Sequence, residues 1–161
     1  MNLFLLRHGE AESVATAPEG RQLTEYGHQE VINVARQFTA RNLSIDTCYV
    51  SPALRAQQTA DTFLSQIFQA PAPVTMDVLD ASHRAADVMA ALKDHDSGNI
   101  LLVSHNPLLS ELLSLLTDGN IDHLHILGTG NLACVSLDII GLGMGPRSFL
   151  LEPDAAAVAA N

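Results

Sequence analysis

Four residues able to handle an anion stand at three separate points of the chain. Arg7 and His8 open an Arg7-His8-Gly9 tripeptide, Arg55 closes Ser51-Pro52-Ala53-Leu54-Arg55, and His105 lies in Ser104-His105-Asn106-Pro107. A guanidinium stays charged at all relevant pH, and its planar fork matches two phosphate oxygens. Neighbouring cations disfavour a protonated imidazole, and a neutral imidazole beside a bound phosphate is a competent nucleophile. Two guanidiniums and two imidazoles brought to one spot would therefore hold a phosphate and attack it. Each fragment alone is weak, because a lone histidine after a strand is more often structural and a lone helix arginine more often solvated. The weight comes from their coincidence in a chain with only 8 Lys and Arg.

The elements that must position them are legible as runs of apolar residues. Residues 2–6, 46–50 and 99–103 read as short buried strands, and the three fragments lie at or just beyond their carboxyl ends. Thr24 is a candidate N-cap, followed by Val31, Val34, Ala35 and Phe38 on one helical face. Ser51-Pro52 reads as a second helix start, with Ala60, Phe63, Leu64 and Ile67 inward. Residues 74–79 read as a third strand, and 83–94 as a helix with Val88, Met89 and Leu92 that Gly98 stops. Pro107 starts a helix with Leu109, Leu112, Leu113 and Leu116 inward. Residues 131–138 and 147–151 read as strands around a loop that contains Pro146, and Pro18 and Gly20 mark a loop within residues 7–23. Strands separated by helices imply βαβ units, a mostly parallel sheet, and an α/β fold: a single-domain three-layer α/β/α sandwich. In such sheets ligands bind beyond the carboxyl ends of the strands.

Composition bounds the rest. At 161 residues with 47% apolar and 16% charged content, the chain fits one domain with a full core. Residues 1–152 form the expected domain, and 153–161 an Ala-rich flexible tail. The net charge of −10 disfavours nucleic acid and anionic membrane, which need a basic face. No basic leader region precedes the first strand and no apolar run approaches a membrane span, so a cytoplasmic protein is expected. Cys48 and Cys134 have no metal-type spacing and read as buried, reduced thiols.

Arg7-His8-Gly9 after a first strand, Ser51-Pro52-x-x-Arg55-Ala56-x-x-Thr59-Ala60, and Ser104-His105-x-Pro107 together resemble the histidine phosphatase, or phosphoglycerate mutase-like, superfamily. The short length and the Arg21-x-Leu23-Thr24-x-x-Gly27 stretch are similar to its compact phosphohistidine phosphatase branch. The resemblance covers residues 1 to 150. It implies that His8 is the nucleophile, that Arg7 and Arg55 hold the phosphoryl oxygens, and that His105 donates to the phosphoryl group. It also implies that Gly9 lets the backbone pass beside the nucleophile and bind phosphate, with no metal or other cofactor. Arg21, Asn106 and Thr129 are candidates for the pocket rim.

The sequence departs from the superfamily at the general acid. Many members place a carboxyl near the third strand, whereas Asp77-Val78-Leu79-Asp80-Ala81-Ser82-His83 contains no clear counterpart. Asp80 is the best-placed candidate, and His83 a lesser one. An imidazole leaving group, with a conjugate acid near 6.5, leaves without a strong acid, unlike an alkoxide. The expected reaction is therefore removal of phosphate from protein phosphohistidine, on a histidine phosphotransfer domain or a phosphocarrier protein. The alternative is a small-molecule phosphomonoesterase. A metal site built from His8, His105, Glu10 and Glu12 is disfavoured by two arginines in the same place. A binding module without turnover has no residue to support it. His28 and His95 are expected on helix surfaces, and His123 and His125 in an exposed loop.

Overall fold

The computed structural model describes residues 1–14, 17, 20–95 and 98–160; Pro18, part of the expected first loop, lies outside them. Strand β1 (Asn2–Arg7) occupies an inner position of a six-stranded sheet. It pairs in parallel with β4 (Asn99–Ser104) and antiparallel with β5 (Leu132–Ser136). Beyond β4 lie β2 (Thr47–Val50) and then β3 (Pro73–Thr75), both parallel; beyond β5 lies β6 (Arg147–Leu151), antiparallel. β1 to β4 and β6 run one way and β5 alone runs the other, which makes a mixed sheet, parallel on the side that carries the candidate residues.

Strand alternation divides the core in two, since successive side chains face opposite ways. Phe4 and Leu6 join α1 (Glu25–Thr39) and α2 (Leu54–Leu64) on one face through Val31, Val34, Phe38 and Phe63. Leu3 and Leu5 join α3 (Ala85–Leu92) and α4 (Leu108–Asp118) on the other, through Val88, Leu92, Leu109 and Leu112. The three-layer α/β/α sandwich is therefore present. Thr24 caps α1 as its residue type suggests, its Oγ1 accepting from the Gly27 amide at 3.0 Å. Among the described residues no helix is long and apolar enough to cross a membrane.

Local structure differs from the sequence reading in four places. α2 begins at Leu54 rather than at Ser51-Pro52, because the Ser51 amide still pairs with the Val103 carbonyl at 2.9 Å and extends the strand. The third strand ends at Thr75, and Asp77–Leu79 form a 3₁₀ turn that buries Leu79 fully beneath the sheet's α3/α4 face. α3 stops at Leu92, well before Gly98, whose left-handed φ of 89° serves the turn into β4 instead. Residues 155–159 are not a loose tail. Asp154 caps a short helix, α5 (Ala155–Ala159), which packs on α1 and buries Val158.

Candidate active site

The register of the parallel strands assembles the site. Arg7 lies opposite Ser104 across β1 and β4, so His8 and His105 leave adjacent strands side by side. The His8 amide completes the ladder by donating to the Ser104 carbonyl at 2.9 Å. Val50 lies opposite Val103, so β2 ends at the same level and delivers Arg55 from the first turn of α2. The three fragments, far apart in sequence, thus meet at one edge of the sheet.

His8 is buried and its tautomer follows from its partners. Its Nδ1 lies 2.7 Å from the Gly9 carbonyl, which can only accept, so Nδ1 carries the hydrogen. Nε2 is left with a lone pair, towards which Arg55 Nε donates at 3.2 Å. Burial pushes the His8 pKa down to about 4; the Gly9 carbonyl opposes this, and the charges of Arg55 and Arg7 with His105 add to it. His8 is neutral at physiological pH. His105, also buried, is lowered by burial and then by Arg55, against the Asp80 carboxylate.

Arg7 donates from Nη1 to the Leu127 carbonyl at 2.7 Å. Burial lowers its pKa and the Glu30 carboxylate opposes that, but a guanidinium remains charged in such a setting. Neither Arg7 Nε nor His105 Nε2, both buried, has a hydrogen-bond partner among the described residues. A tetrahedral oxyanion held by these four side chains would meet donors on several sides.

Behind the four residues stands a support that the apolar pattern did not reveal. Thr59, buried on α2, accepts from the Gly9 amide at 3.2 Å and donates to the Arg55 carbonyl at 2.7 Å, tying the His8 loop to the Arg55 helix. Glu30 is only 6% exposed, yet its two oxygens accept from the Glu10 amide and the Thr129 hydroxyl, each at 2.7 Å. Its signal was available: a carboxylate one turn before Val34, on the inner face of α1, needs buried partners. Gly9 and Gly27 let the loop and helix touch. A Cβ on Gly27 would lie 2.1 Å from the Glu10 carbonyl oxygen, and one on Gly9 would lie 2.4 Å from that of Gly27.

The remaining candidates fall elsewhere. The Gly9 amide is committed to Thr59 and its carbonyl to His8, so Gly9 orients the His8 ring, and its amide is not free to bind phosphate as expected. Arg21 braces its own loop through the carbonyls of Glu12 and Ala11. Thr129 is bonded to Glu30, and Asn106 to Leu127 and Ser110, so both act behind the pocket. Asp80 accepts from the Ser82 amide at 3.0 Å and the Ser82 hydroxyl at 2.8 Å, which holds its carboxyl below the usual range. It is ionised at neutral pH and has no proton to give. His83 neighbours Ser82 and lines a separate cavity with Arg84 and Glu111. His28 bridges α1 to Thr62 of α2 at 2.9 Å, and His95, past the end of α3, meets the Tyr49 hydroxyl at 3.1 Å. His125 pairs with Asp118 at 2.8 Å in the loop expected to be exposed. Among the described residues no three His, Cys, Asp or Glu side chains cluster as metal ligands do.

Residues 3–76 match the Histidine phosphatase superfamily (branch 1). The phosphohistidine phosphatase SixA homolog of Haemophilus influenzae is 32% identical over 128 residues, covering 72% of this chain and 77% of that one. SixA of Escherichia coli is 30% identical over 149 residues, covering 89% of each. The chain belongs to the histidine phosphatase superfamily. Within the superfamily it falls in the SixA-like branch. The solved structure of the protein histidine phosphatase SixA complexed with tungstate superposes with a TM-score of 0.85 at 28% identity, covering 95% of this chain and 97% of that one. Likeness to a 2,3-bisphosphoglycerate-dependent phosphoglycerate mutase of Bartonella quintana, 37% identical, runs over only 76 residues and 37% of that protein. The superfamily's phosphatase chemistry accounts for the buried, neutral His8 among three further donors of positive charge or hydrogen bonds.

Proposed function

We propose that this chain hydrolyses phosphohistidine on a partner protein through a phosphoryl group carried transiently on His8 Nε2. The observation that carries the reading is an oriented, neutral imidazole beside two guanidiniums, while Asp80, the carboxyl that bears electrostatically on His105, is kept ionised by Ser82. A site of this kind binds and accepts a phosphoryl group but lacks a poised acid for an alkoxide. Likeness to SixA over most of both chains supports the same reading.

In the first step the Nε2 lone pair forms a bond to phosphorus as the partner's P–N bond breaks. The partner ring titrates near 6.5, so solvent can protonate its far nitrogen and it departs as neutral imidazole. Phosphorylated His8 still carries its Nδ1 hydrogen, and the Gly9 carbonyl stabilises the resulting positive ring. In the second step water attacks phosphorus, the electron pair returns to Nε2, and the water's proton passes to solvent or phosphate. His8 is then neutral again. Arg7, Arg55 and His105 are the groups that neutralise the phosphoryl oxygens in both steps.

A protein rather than a metabolite is favoured by the surroundings. Leu124 and Ile126 are 42% and 74% exposed, beside the Leu127 carbonyl that holds Arg7, and they form one wall of a shallow cavity of about 330 Å³ with Asn106 and Pro107. Apolar side chains exposed next to a charged pocket suit a macromolecular surface. The partner is a histidine phosphotransfer domain or a phosphocarrier protein. Cys48 and Cys134, both unpaired and buried, suit the reducing cytoplasm.

The test is phosphate release from a phosphohistidine-bearing phosphotransfer domain, with chelator present, by wild type and His8→Ala. Release by the wild type alone supports the proposal. Turnover of serine phosphate or sugar phosphates, with phosphohistidine protein near background, overturns it in favour of a small-molecule phosphomonoesterase.

A further inference from the structure

We propose that Asn106 and Ser110 are positioning residues for Arg7, acting through the main-chain carbonyl of Leu127. The inference rests on the reading above that Arg7 holds the phosphoryl group.

Arg7 is a long side chain whose guanidinium has one described anchor, the bond from Nη1 to the Leu127 carbonyl at 2.7 Å. Ordering such a side chain costs rotamer entropy, so the rigidity of its anchor decides how well it is aimed. Leu127 lies outside the regular elements, in the long connection between α4 and β5, where backbone is not fixed by a helix or a ladder. Something else must fix it.

The start of α4 does so on both sides of the residue. Asn106 Nδ2 donates to the Leu127 carbonyl at 2.8 Å, sharing that oxygen with Arg7. The Leu127 amide donates to Ser110 Oγ at 3.2 Å, and the Ser110 hydroxyl donates to Asn106 Oδ1 at 2.8 Å. These bonds close a ring with one consistent proton arrangement. Because Ser110 receives the Leu127 hydrogen, its own hydrogen goes to Asn106, which fixes Oδ1 as acceptor and turns Nδ2 to Leu127. Ser110 is 2% exposed and Leu127 1%, so two of the three members are held away from solvent. Ser114, one turn further along α4, extends the attachment by accepting from the His125 amide at 2.9 Å. Asn106 immediately follows His105, so one helix start delivers the second pocket histidine and braces the first pocket arginine.

The experiment measures orthophosphate binding by wild type, Asn106→Ala, Ser110→Ala, Arg7→Ala and the Asn106→Ala/Arg7→Ala double variant, with the guanidinium ¹⁵N resonances of Arg7 followed alongside. Losing one such hydrogen bond should weaken phosphate binding about 3- to 10-fold in Asn106→Ala and in Ser110→Ala. In the Arg7→Ala background the Asn106 substitution should add less than about 1.5-fold, because its effect passes through Arg7. Asn106→Asp keeps the acceptor for Ser110 and the side-chain shape but has no donor for Leu127. It should bind as weakly as Asn106→Ala or more so, with the Arg7 resonance displaced in both. If Asn106→Ala does not fold, Asn106→Asp and Ser110→Ala carry the test. Equal losses with and without Arg7, or wild-type behaviour of Asn106→Asp, would overturn the inference while leaving the phosphatase reading intact. Wild type that binds no phosphate overturns the phosphoryl-pocket reading, and this inference with it.

Discussion

The two sides of the pocket are built differently. On the β1 side the reactive groups are held by specific partners: buried His8 by Gly9 and Arg55, Gly9 by Thr59, and half-buried Arg7 by Leu127. On the side of the 3₁₀ turn, Asp80 is half-buried and its bonds run to Ser82, two residues away. The first side orients its groups largely through contacts from distant parts of the chain, which on the proposed reading serve to hold a phosphoryl group. The second holds its carboxylate through neighbours in sequence alone. The difference locates the catalytic investment in holding and attacking phosphorus, with little spent on protonating what leaves.

Substitutions can break that contrast. His8→Ala should lower phosphate release by at least ~10⁴-fold, as loss of a nucleophile does elsewhere, and should leave no acid-labile phosphoenzyme in a rapid-quench experiment where the proposed mechanism expects one for the wild type. Retained turnover would move the chemistry away from β1. Arg55→Ala removes the contact to His8 Nε2 and, on the proposed reading, a donor to phosphate, and should cost about 10²–10³-fold in kcat/KM. A stability measurement sharpens the contrast further. Because the folded His8 pKa is about 4 and its unfolded value about 6.5, the unfolded chain binds the extra proton between those values. Stability should therefore be free of this penalty above about 6.5 and should fall by about 3 kcal/mol as pH drops to about 4. Urea titrations at stepped pH should show a shallower decline for His8→Asn, which removes the titrating ring. The smallest effect belongs to the other side. Asp80→Asn should change phosphohistidine turnover by less than about 5-fold, the scale of a largely solvated charge interaction. A loss of 10²-fold or more would make Asp80 an acid or base after all and erase the asymmetry.

Much of this was legible in the residues. The apolar runs before Arg7 and before His105 are buried strands, and four candidate residues meet because β1, β2 and β4 are parallel neighbours in register. Thr24 caps its helix as its type suggests. What escaped the pattern depends on partners far away in sequence. Ser51 has the look of a cap, but Val103 claims its amide for the sheet. Val74 and Val78 suggest a longer strand, but the edge position of β3 gives no second neighbour to hold it, and Leu79 gains more from the core. Ala-rich residues 155–159 have little to bury except Val158, yet α1 offers that one site. Glu30 and Ser110 act through hydrogen bonds to loops about 20 residues away or more, which no local periodicity encodes.

The inner position of β1 has a consequence for how the molecule fails. Releasing His8 requires parting the strand from β4 and from β5 together, with both faces of the sheet covered by helices. No partial opening does that cheaply, so the amides of residues 4–6 should exchange with deuterium only through whole-molecule unfolding, while the Asp80–Ser82 turn exchanges through small local excursions. Denaturant should then extinguish activity and the folded signal at the same midpoint, leaving no partly melted population that still turns over phosphate.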